Sequence, residues 1–140
     1  MYESLTQLIP VLDEDGYGTW IVDHKSKGTL EDPIQMPFVG YSSAVIELEK
    51  AIYAFVDEHP DYQLTRYGEI LNVNGLEWES KPMSEADVSK ADGQLIMALL
   101  VGALRADRFC EGAFLGFCED GSVLRWLKRL KEIDDESIVC

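Results

Sequence analysis

Gln94-Leu95-Ile96-Met97-Ala98-Leu99-Leu100-Val101-Gly102-Ala103-Leu104-Arg105-Ala106-Asp107-Arg108-Phe109-Cys110-Glu111-Gly112 sets the architecture of this chain. Leu95 to Leu104 is apolar at every position. A helix with that composition presents no polar stripe and must be enclosed by other elements. The run is half of the roughly 20 residues that a bilayer core requires, so it predicts a central helix rather than a membrane span. Beyond it, Arg105, Asp107, Arg108 and Glu111 bring concentrated charge against a buried core. That junction is the one place where binding or chemistry could be seated.

On the N-terminal side, residues 3–12 read as a short amphipathic helix, broken near Pro10 and ended by Asp13-Glu14-Asp15-Gly16. Tyr17 to Val22 carries Thr19, Trp20, Ile21 and Val22, residues that favour strands. Ile34 to Val39 reads as a return strand, which Pro33 and Pro37 confine to an edge. Ser42 or Ser43 caps a helix in which Val45, Leu48, Ile52, Phe55 and Val56 recur at helical spacing, closed by His59-Pro60. Arg66 to Val73 predicts a shorter helix with Asn74-Gly75 as its cap. Leu76 to Met83 reads as a connecting arm, and Ser84-Glu85-Ala86-Asp87 as the capping box that opens the central helix. Phe109 to Cys118 and Val123 to Ile133 predict two more helices, with residues 134–140 a frayed tail. The expected fold is mainly α (α+β): five to six helices around a central apolar one, with a small N-terminal β-hairpin or extended arm, all in one domain spanning 1–140.

Twenty-six acids against 12 bases give a net charge of −14. Such a surface repels nucleic acid and anionic lipid, so neither is expected as a partner. The first residues, Met1-Tyr2-Glu3-Ser4, lack the basic and apolar regions of a signal peptide, and Cys110, Cys118 and Cys140 form no Cys-x-x-Cys pair. A cytoplasmic protein with no disulfide framework, metal site or cofactor is the expectation.

Arg105-Ala106-Asp107-Arg108-Phe109-Cys110-Glu111-Gly112, then Gly121-Ser122 and Arg125-Trp126-Leu127-Lys128-Arg129-Leu130, resembles a small bacterial family known as domain of unknown function 6508. Gly28-Thr29-Leu30 and Pro33-Ile34-Gln35-Met36-Pro37 extend the resemblance upstream. It implies a bacterial cytoplasmic protein and no particular activity, ligand or catalytic residue.

Arg105, Arg108 and Glu111 are spaced three apart and share a face if the helix is continuous. The arginines could then fork a carboxylate or phosphate, with Glu111 orienting one of them. The competing reading, and the favoured one, pairs them with Asp107, Asp92 or acids on other helices as a staple. His24 sits in the basic loop Asp23-His24-Lys25-Ser26-Lys27-Gly28, which could receive an anion or could be a solvated turn. Cys110 and Cys118 lie among phenylalanines, where a free thiol is usually a small hydrophobe. Arg125, Lys128 and Arg129 share a face of the last helix, either a docking stripe or a solvated balance to Glu132, Asp134, Asp135 and Glu136. No catalytic constellation emerges. The expected function is a non-catalytic module that binds a protein partner or itself; the alternative is a small-anion or small-molecule binder or enzyme built on Arg105, Arg108 and Glu111, with Tyr17, Trp20 or His24 closing over them.

Overall fold

The computed structural model describes residues 1–22, 25, 27–33 and 37–139, with position 15 and the last three of these through their backbone alone. The fold is mainly α with a small antiparallel pair of strands. Helices α1 (Glu3–Thr6) and α2 (Ile9–Asp15) lead into β1 (Gly18–Ile21) and β2 (Phe38–Tyr41), with Trp20 opposite Val39. Then follow α3 (Ser43–Glu58), two single 3-10 turns, α4 (Tyr67–Val73), α5 (Ser80–Glu85), α6 (Gly93–Phe109), α7 (Ala113–Glu119) and α8 (Ser122–Val139).

The apolar run is the centre. Ile96 to Leu104 is buried without a break, and α6 packs against α3, α4, α7 and α8. Leu48, Ile52 and Phe55 from α3, Leu71 from α4, and Trp126, Leu127 and Leu130 from α8 close around it. Each such side chain contributes about 1.5–3 kcal/mol on leaving water, so this shell is the main source of stability. Among the described residues no helix is long and apolar enough to cross a membrane.

Several boundaries differ from the sequence-based expectation. The central helix opens at Gly93, because Asp92 accepts the Leu95 N–H at 2.9 Å and caps it. The Ser84-to-Asp87 signature instead closes α5, a helix that tolerates Pro82 because first-turn N–H groups need no partner. The last helix runs on through 134–139, the stretch read as a fraying tail. There Asp134 accepts the Tyr2 backbone N–H at 2.9 Å and ties the helix to α1. The strand pair also differs from the reading: Tyr17 and Val22 fall outside β1, β2 starts at Phe38 and runs past Val39 through Tyr41, and positions 34–36 of the expected return strand lie outside the described residues.

Candidate functional site

The charged string after the apolar run breaks rather than continuing as one helix. Helix α6 ends at Phe109, the chain extends at Cys110, and Gly112 turns with φ +87° into α7. A left-handed backbone there suits glycine. A Cβ at this position would also fall 2.3 Å from the Trp20 ring, so the same glycine lets β1 lie against the break.

Asp107 organises the break. Its Oδ1 accepts the Tyr41 hydroxyl at 2.8 Å and the Phe114 N–H at 3.1 Å, while the Tyr41 oxygen accepts the Leu115 N–H at 3.1 Å. Two first-turn N–H groups of α7 are thereby satisfied by side chains from α6 and β2. Burial, then the bond to Asp107, raises the Tyr41 phenol above its usual range, so it stays a neutral donor. Glu111 Oε1 accepts the Val39 N–H at 2.9 Å and caps the outer edge of β2.

Arg105 is half-buried, with its guanidinium carbon 5.9 Å from the Tyr53 ring centroid. Arg108 is exposed. Neither arginine makes an ion pair with a described residue, so the expected staple to Asp107 or Asp92 is absent among them. Instead Asp107 serves as the staple, through neutral donors. Arg108 and Glu111 line one cavity, together with Tyr41, Val45, Glu49, Tyr53, Leu104, Asp107 and Phe114; its volume is about 280 Å³. Arg105 stands outside it, against Tyr53. His24 lies outside the described residues. Val45, Glu49 and Tyr53 follow one another at four-residue spacing on α3, a shared face legible in the sequence, although nothing local ties it to Arg108 or Glu111.

The opposite side of the same break is apolar. Trp78, Met83, Ala106, Phe109, Cys110, Ala113 and Phe117 line a groove of about 250 Å³ between α5, the end of α6 and α7. Phe109 is 80% exposed and meets Trp78 edge-on, ring centroids 5.8 Å apart. Trp78 is held in place because its indole N–H donates to the Gly102 carbonyl at 2.8 Å. Through Ser80, Ala113 and Phe117 the groove adjoins a smaller depression over Gly112, Gly116 and Asp120.

The chain matches the model of a family described as a family of unknown function (DUF6508) over residues 2–136. It belongs to that family. No curated protein and no solved structure matches it.

The cysteines divide. Cys110 is exposed in the groove, whereas Cys118 is buried and its thiol is pushed up to about 12 by desolvation, then by Asp120 and Glu119. On α8, Arg129 donates to the Ala91 carbonyl at 3.0 Å and reaches Glu132 at 3.2 Å and Glu136 at 3.4 Å; Arg125 donates to the Ser84 carbonyl. Exposed Arg125 therefore ties α8 to the last turns of α5, and the half-buried Arg129 holds the connector between α5 and α6. Lys128 is exposed.

Proposed function

We propose that the protein is a non-catalytic docking module that seats an apolar, basic segment of a partner protein in the groove between α5, the end of α6 and α7. The observation that carries this reading is Phe109. A large aromatic ring in solvent gains about 1.5–3 kcal/mol when covered, and here it stands beside a second fixed ring in a groove lined by the buried Met83 and Phe117 and by Ala106 and Ala113. Charge selects the partner. Glu79 lines the groove and Asp120 its extension, exposed Glu77 and Glu119 adjoin them, and the single base of α5 is Lys81. On a chain of net charge −14 this rim attracts lysine and arginine and repels a second acidic copy.

The test is selection from a displayed random peptide library on the wild-type chain, with counter-selection on Phe109→Asp. Enriched peptides should carry an aromatic or aliphatic anchor flanked by bases, bind less tightly as salt rises, and lose about tenfold or more in affinity on Phe109→Asp. Peptides indifferent to the substitution, or no enrichment, would overturn the reading. Sedimentation of the wild type showing a dimer that Phe109→Asp dissolves would overturn it too, by assigning the groove to a second copy.

A further inference from the structure

The cavity on the polar side of the break is independent of the groove and has its own chemistry. We propose that it binds a small organic cation, a primary or quaternary amine, and not the anion that its arginine first suggests.

The charge balance points this way. Glu49, Asp107 and Glu111 line the cavity against one base, Arg108. Glu49 is half-buried and makes no hydrogen bond or ion pair with a described residue, so its carboxylate is open to a ligand. An anion entering here would meet three carboxylates, whereas an ammonium would meet them with one guanidinium at the exposed rim. The walls agree. Tyr41, Tyr53 and Phe114 are three of its lining residues, and the face of an aromatic ring carries the negative side of its quadrupole, which attracts cations. The molecule already uses one of these rings in that way, since the Arg105 guanidinium sits over Tyr53 from outside the cavity. The volume of about 280 Å³ suits a ligand of a few heavy atoms. Val45, Leu104 and Phe114 are buried and supply an apolar floor for its carbon atoms.

Titration of the full chain followed by amide chemical shifts tests this, with tetramethylammonium chloride and putrescine as the amines and phosphate at matched ionic strength as the anion. The amines should give saturable shifts clustered at Val45, Tyr53, Leu104 and Phe114, and phosphate none. Glu49→Gln removes the open carboxylate and should weaken amine binding by about 5–10-fold, while Arg108→Gln removes the competing cation and should tighten it by about threefold or more. Both positions reach solvent and their substitution leaves the core intact. Phe109→Asp should leave amine binding unchanged, which keeps this site's fate separate from that of the groove. Saturation by phosphate that Arg108→Gln abolishes would overturn the proposal in favour of an anion site. Absence of saturation by either amine would overturn it outright.

Discussion

Gly112 shows how one residue sets the geometry on which both candidate surfaces depend. Its φ of +87° turns the chain between α6 and α7, and its missing Cβ admits Trp20. Alanine there must accept a left-handed backbone and displace the indole. Gly112→Ala is expected to cost about 1–3 kcal/mol in unfolding free energy, read by urea titration. Because Trp20 is half exposed and can swing away, most of that cost belongs to the backbone. The double variant with Trp20→Ala should therefore recover only a minor part of it, and full recovery would show that crowding, not φ, dominates. Asp107 makes a similar point from the other direction. A reader of Arg105-Ala106-Asp107-Arg108 expects the acid to neutralise a neighbouring arginine, yet it spends its oxygen on Tyr41 and on the Phe114 N–H. The residue types were visible, but their partners lie on β2 and α7, and local spacing cannot supply those.

At the scale of elements, α8 is fastened by its arginines and α6 is not. Arg129 is 12% exposed and its Nε–H donates to the Ala91 carbonyl, whereas the two glutamates that it also reaches are mostly solvated and add little. Arg129→Ala leaves a carbonyl unpaired and removes a packed stem, and the expected loss is about 1–2.5 kcal/mol. Arg108→Ala, at an exposed position with no ion pair among the described residues, should stay within about 0.5 kcal/mol of wild type. Urea midpoints of the two variants check the contrast, and a larger loss at Arg108 than at Arg129 would reverse the assignment of structural and available arginines. The stripe on α8 was legible as a shared face. That it grips the Ser84 carbonyl of α5 and the Ala91 carbonyl of the following connector was not, because those partners lie 41 and 38 residues away along the chain and only packing brings them within reach.

For the whole molecule, alkali is the expected weakness. Cys118 in the core is pushed up to about 12, from an ordinary value of 9.0, by desolvation. Tyr2 and Tyr41 are raised as well, Tyr2 by burial and then by its 2.6 Å bond to the Tyr62 hydroxyl. Raised folded values mean that all three groups stay neutral in the native state while the unfolded chain ionises. Their contribution is complete below the unfolded values near 9 for the thiol and 10 for the phenols, and it is lost as pH rises beyond them. Stability should fall by up to about 1.4 kcal/mol per pH unit for each group engaged. Urea midpoints measured upward from about pH 8 should decline accordingly, and Cys118→Ala should reduce the slope first; a flat profile would show that these groups are solvated in the native state.

What the sequence by itself determined was the part governed by periodicity and composition: a mainly α chain, an enclosed helix from the ten-residue apolar run, a capped amphipathic α3, a short strand pair, and membership of a family. Those features follow from which residues leave water and at what spacing, information that is local to the chain. Tertiary structure alone decided where α6 ends, that Asp107 and Glu111 bind backbone N–H groups from distant elements, and that one helix break carries a polar aromatic cavity on one side and an apolar groove on the other. The physical reason is that a side chain's charge is written in the sequence, whereas the partner that satisfies or fails to satisfy it is set by packing between elements far apart along the chain.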